Sequence, residues 1–120
     1  MHELGIAQGI LEIVQHYVPL DQASDIQWVR VRVGQIAGVV ADSLDFSFQA
    51  IVADTPWQAA RLAIDEVPAV ANCCRCDRKF EIEDAAFLCP GCGSNDIRMI
   101  SGNELQVVEI EMADGLDEAL

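Results

Sequence analysis

Four of the five cysteines fall into two pairs of identical spacing, Cys73-x2-Cys76 and Cys89-x2-Cys92, with twelve residues between the pairs. Each pair can aim two thiolates at one point, and two such turns complete the four-sulfur shell that tetrahedral zinc prefers. Gly91 and Gly93 suit the tight second turn, where amides must face the sulfurs and the chain can take positive φ. Cys74 sets up a competing pair, Cys74-x-Cys76, but Cys73 with Cys76 matches the spacing of the second knuckle and leaves Cys74 as a spare thiol. A shell of four thiolates has no open coordination position, so a metal held there would fold the module rather than catalyse. A thioredoxin-like redox pair is the alternative; two pairs at ribbon spacing, neither opening a helix in a βαβ setting, speak against it.

Composition supports reading the cysteines as ligands. No stretch of about 18 apolar residues is available to cross a bilayer, and Glu3 and Glu12 stand where an export signal would be basic and then apolar. A cytoplasmic chain is therefore expected, where thiols stay reduced, and the odd number of cysteines does not fit a fully paired disulfide framework. The net charge of -13 argues against nucleic acid as a partner, and no membrane contact is expected. At 120 residues there is room for one principal core and a small satellite.

The apolar pattern outlines that core. Ile6, Ile10, Ile13, Val14, Tyr17 and Val18 recur at helical steps before Pro19 ends the run, and Gly5 and Gly9, four apart, suggest a close backbone approach on that side. In IQWVRVRVG, Val29, Val31 and Val33 alternate with Trp28, Arg30 and Arg32, which is a strand with one apolar face. Asp42 stands as an N-cap for a second helix over about Ser43 to Ala53, with Asp45 in its first turn and Thr55-Pro56 beyond its end. RLAIDEV reads as a second strand, and LQVVEIEM, with Val108, Ile110 and Met112 on alternate positions, as a third. The expectation is an α+β fold: a small three-stranded sheet with two helices on one face, and an inserted zinc-ribbon module. Residues 1–70 and 102–113 would form the α+β domain, 71–101 the ribbon, and 114–120 an acidic, solvated tail.

The opening Met1-His2-Glu3 admits two readings. The Met1 amine, the His2 amide nitrogen and the His2 imidazole can close two chelate rings on one metal, with Glu3 adding an oxygen; nitrogen-rich sets of this kind suit Ni(II) or Cu(II). On residue type alone, a histidine there is more often an exposed residue of a first helical turn. His16, near the end of the same helix, reads as a surface residue at the favourable end of the helix dipole.

Taken together, the MHE opening, the late CxxC and CPxC ribbon, the helix phrase DSLDFSF and the closing GNELQVVEIE resemble the HypA/HybF family of hydrogenase maturation factors over essentially the whole chain. The resemblance implies a nickel metallochaperone, not an enzyme, which helps insert Ni(II) into a [NiFe]-hydrogenase large-subunit precursor together with a HypB-type GTPase; some members serve urease. It assigns nickel to Met1, His2 and Glu3, and structural zinc to Cys73, Cys76, Cys89 and Cys92. It also leaves open a weak homo-oligomer. The family's loop carboxylate has no clear counterpart in GVVAD, where Asp42 is the nearest candidate. The chain has no GxxxxGK[ST] loop, so energy input would have to come from the GTPase. The rival reading is a zinc-ribbon interaction module without nickel function.

Overall fold

A computed structural model describes residues 3–83, 86–113 and 118–119. Helix α1 (Glu3–Tyr17) leads through a 3-10 turn at Leu20–Asp25 into β1 (Ile26–Gly34); α2 (Ala41–Val52) and β2 (Arg61–Val67) follow. Then come β3 (Val70–Cys73), β4 (Lys79–Glu81), β5 (Ile97–Ser101), β6 (Leu105–Met112) and β7 (Glu118–Ala119). One sheet has the order β2-β1-β6-β7 and the other β4-β3-β5.

The valine alternation in β1 organises the larger layer. Val29, Val31 and Val33 are buried, while Arg30 on the open face donates to Glu111 on β6 at 2.9 Å and to Asp65 on β2 at 3.4 Å. β1 and β2 run parallel with α2 as their connection, whereas β6 is antiparallel to β1. Leu44, Phe48 and Val52 of α2 and Ile10 and Val14 of α1 close the core over the valines and Ile110. Burying side chains of this size from both helices and the sheet is the main drive for the layer to form.

Several expectations shift. In α1, Ala7 joins the buried set while Ile13 and Tyr17 stay 39% and 46% exposed, because the helix packs chiefly against α2 and only lightly against β6. Gly5 and Gly9 mark no close backbone approach: nothing lies within 4 Å of a Cβ built at either. Gly9→Ala should therefore raise unfolding stability by about 1 kcal/mol, the helix-propensity difference, read as a higher urea midpoint at unchanged slope. Helix α2 starts at Ala41 with Val40 as its N-cap and no side-chain cap bond. Asp42 is thus not the cap but lies in the first turn, where its charge still suits the helix dipole. The larger sheet has a fourth strand, because Glu118 and Ala119 of the tail pair with Ile110 and Glu109.

The smaller sheet has a minor core of Ala69, Ala71 and Ile82, against which Ile36, Phe80 and Ile97 pack. Ile36 comes from the loop after β1, so the α+β layer contributes to the ribbon's base. Backbone bonds tie the two together: Gln35 donates to Val67 at 2.9 Å, and Ile36 donates to Gly102 at 2.8 Å. The Gln35 side-chain oxygen accepts from the Ala69 amide at 3.1 Å.

Candidate metal centre

Cys73 ends β3, and Cys76 follows it around a turn; Cys89 and Cys92 occupy the corresponding places in the loop before β5. The two turns are built alike. The amide of Cys73 donates to Arg78 and that of Cys89 to Ser94, while Asp77 and Gly93 donate back to Cys73 and Cys89. Arg75 and Gly91, each two residues past the first cysteine, point their amides at its sulfur at 3.4 Å. Asp77 and Gly93, each four residues past it, have φ of 60° and 73°. Glycine accommodates that conformation readily; at Asp77 the Asn72 amide group steadies it, donating to the carboxylate at 3.1 Å. Asn72 and Asp77 are thus supporting residues that the sequence reading missed. The available signal was the shared four-residue offset from the first cysteine of each pair.

Four sulfurs converge as a result. Cys73 Sγ lies 3.6 Å from Cys92 Sγ and Cys76 Sγ 3.5 Å from Cys89 Sγ, and all four lie within 4.8 Å of one another. A tetrahedral ion with metal–sulfur bonds of about 2.3 Å sets its sulfurs about 3.8 Å apart, so the donor set fits such an ion in size and chemistry. Cys73 and Cys89 are buried, Cys76 and Cys92 exposed. Cys74 is exposed and outside the cluster; its amide bonds to Asp96 at 2.8 Å, which extends the contact between the two turns.

The four thiols differ in acidity. Burial raises the Cys89 thiol, but hydrogen bonds from the Cys92 and Gly91 amides, with the Cys76 and Cys92 side chains, outweigh it and bring the thiol down to about 6. The Arg78 amide favours the Cys76 thiolate, yet the neighbouring Cys89, burial, and Cys73 and Cys92 together push it up to about 12. Metal must displace every remaining thiol proton. At pH 7 Cys89 is already largely ionised, so loading should release about three protons or fewer per ion. The number should rise as pH falls through about 6, with affinity falling in step. Calorimetry in buffers of different ionisation enthalpy measures both.

At the other end of the sequence, Glu3 opens α1; Met1 and His2 lie outside the described residues. Glu3 lines a shallow cleft with Leu4, Asp42 and Phe46. Asp42, relieved of a capping role, therefore shares a surface with the start of α1. His16 sits edge-on to Tyr17 with ring centroids 5.0 Å apart and is solvent-exposed.

A small α+β layer joined to a ribbon with a converged four-thiol centre defines a metal-site protein of the zinc-ribbon class. Residues 1–112 match the family model described as "Hydrogenase/urease nickel incorporation, metallochaperone, hypA", and the chain belongs to that family. It is 44% identical over 115 residues to the hydrogenase maturation factor HypA of Desulfatibacillum aliphaticivorans, covering 95% of this chain and 88% of that one. It is 39% identical over 113 residues to HypA of Desulfosudis oleivorans, covering 93% and 98%. The solution structure of the Ni metallochaperone HypA from Helicobacter pylori superposes with a TM-score of 0.63 over 93% of this chain and 97% of that one, at 21% identity, a likeness of fold.

Proposed function

We propose that this chain carries Ni(II) at its amino terminus for insertion into a [NiFe]-hydrogenase large-subunit precursor, with structural zinc in the ribbon. The supporting observation is that the family match begins at residue 1 and so includes Met1, His2 and Glu3. In this reading the Met1 amine and the His2 amide and imidazole nitrogens form the chelate, and Glu3, at the start of a helix packed on the core, supplies an oxygen or steers the partner. Such a set binds only when its nitrogens are unprotonated, so protons compete and acidification promotes release. Cys73, Cys76, Cys89 and Cys92 hold zinc, the ion whose size and preference for thiolate match the cluster. Cytoplasmic residence fits four reduced thiols, and a HypB-type GTPase supplies the energy for which this chain has no nucleotide loop.

Nickel titration of the tag-free, zinc-loaded protein tests the reading against His2→Ala and against a version extended by one residue before Met1. The wild type should bind one Ni(II), and both altered forms should lose at least about tenfold in affinity, as removal of a metal-site partner commonly does. Equal affinity in all three would overturn the terminal chelate and put any bound nickel elsewhere, and no uptake by the wild type would leave a zinc-ribbon interaction module.

A further inference from the structure

Beside α1, the inner face of the larger sheet is left partly uncovered. A cleft of about 220 Å³ runs between helix and strand, with Ile6, Gly9, Ile10 and Ile13 on one side and Leu105 and Val107 of β6 on the other. It continues along the helix to His16 and Tyr17. Gly9 keeps the cleft open, since a Cβ there would meet nothing. Apolar surface here stays in water: Ile13, Tyr17 and Leu105 are each more than one-third exposed.

The rim of this cleft is a sheet edge. Glu104 accepts from the Gly34 amide on the β1 side, so by alternation Leu105 and Val107 turn their amides and carbonyls away from β1. β7 meets this edge only at Glu109 and Ile110. Among the described residues, Leu105 to Val107 therefore has no ladder partner on its outer side. The same two residues stand opposite Val33 and Val31, which puts their side chains on the helix-covered face. A strand laid along this edge would pair with the open backbone groups and drop alternate side chains into the cleft beneath α1. The chain itself shows that the edge accepts a strand, at β7.

Charge selects the occupant. Glu12 lines the cleft beside His16, Glu104 immediately precedes the open stretch of β6, and the whole chain carries -13, so a second copy would meet like charge. We propose that the β6 edge and the α1 cleft together bind an extended segment of a partner protein, alternating apolar with basic side chains, as an added strand. The inference does not depend on the nickel reading, because neither the edge nor the cleft involves the first three residues.

The probe is a synthetic peptide alternating valine with lysine, titrated into the zinc-loaded full chain at moderate salt. Three companions accompany it: the same peptide N-methylated at alternate residues on one edge, N-methylated on the other edge, and a block-sequence isomer of equal charge. One N-methylated peptide should bind at least tenfold more weakly than the parent while the other keeps most of its affinity, and the isomer should also bind at least tenfold more weakly. Amide exchange at Leu105 and Val107 should slow in the complex. Gly9→Leu, which fills the cleft at a position with space for it, should weaken the parent peptide at least tenfold without changing zinc content or circular dichroism. Equal binding of all four peptides would reduce the effect to charge and overturn the proposal, as would binding with unchanged exchange at Leu105 and Val107 or no binding at all. A dimer of the free protein in sedimentation, with those amides already protected, would assign the edge to self-association and overturn it too.

Discussion

Cys76→Ser is expected to unfold the ribbon while leaving the α+β layer standing. The ribbon has little else to hold it: among the described residues its buried apolar cluster is Ala69, Ala71 and Ile82, and Ile36, which packs on it, comes from the other layer. Structural zinc bound by four thiolates contributes about 10–16 kcal/mol at neutral pH, far more than three small contacts can replace at about 25 cal/mol per Å². On the zinc reading proposed above, loss of one sulfur leaves the two turns without a shared ion, and their backbone bonds stand alone. Trypsin should then cut at Arg75, Arg78 and Lys79 at least about a hundredfold faster, as opening of the segment becomes common instead of rare. The thermal transition of the layer containing Phe48 and Val31 should move by only a few degrees. Cys74→Ser should change neither readout, because that thiol lies outside the cluster. Retained protease resistance in Cys76→Ser, with zinc absent by mass spectrometry, would show that the ribbon folds on its own contacts.

These two cysteine variants also mark what could be read from the sequence. The convergence of the four thiols was legible because a knuckle is a local object: the spacing of Cys73 and Cys76, repeated at Cys89 and Cys92, fixes the turn before any tertiary contact forms. β1 was legible for a similar reason, since the alternation of Val29, Val31 and Val33 with Trp28, Arg30 and Arg32 encodes two faces. The placement of α1 was not. Its apolar positions fill more than a single stripe, and which of them become buried depends on α2, far along the chain; hence Ala7 is inside and Ile13 and Tyr17 remain exposed. Asp42 illustrates a different loss. An acidic residue two places into a helix looks in sequence like a cap, and the choice between these roles lies in the backbone around Val40. The pairing of β7 with β6 and the seating of Ile36 against the ribbon are longer-range still, with no periodic signal to announce them.

Gly34 and Gly102 mark the same long-range seam, and both should resist even a single added methyl group. Gly34 closes β1 where the chain leaving β5 crosses it: a Cβ on Gly34 would run into the backbone carbonyl of Gly102 and the amide nitrogen of Asn103. Gly102 has φ of +110°, and its own Cβ would overlap Ala69. The obstructing atoms are mostly backbone, tied by bonds from Gly34 to Glu104 at 2.8 Å and from Ile36 to Gly102 at 2.8 Å. The Gly102 amide adds one to the Glu104 side chain at 2.7 Å. They cannot yield as a flexible side chain would. Overpacking costs about 1–3 kcal/mol and a disfavoured φ about 1–3 kcal/mol more, so Gly102→Ala should lose about 3 kcal/mol or more and Gly34→Ala about 2–3 kcal/mol. Because a Cβ on Gly34 meets the backbone of Gly102 itself, the two sites are coupled and the double variant should depart from the sum of the two by about 0.5 kcal/mol or more. Zinc content should persist in all three, since the cysteine turns are closed by their own bonds at the far end of the ribbon. Urea midpoints with metal analysis measure this; a Gly34→Ala midpoint equal to wild type would mean that the two layers are not locked together at this crossing.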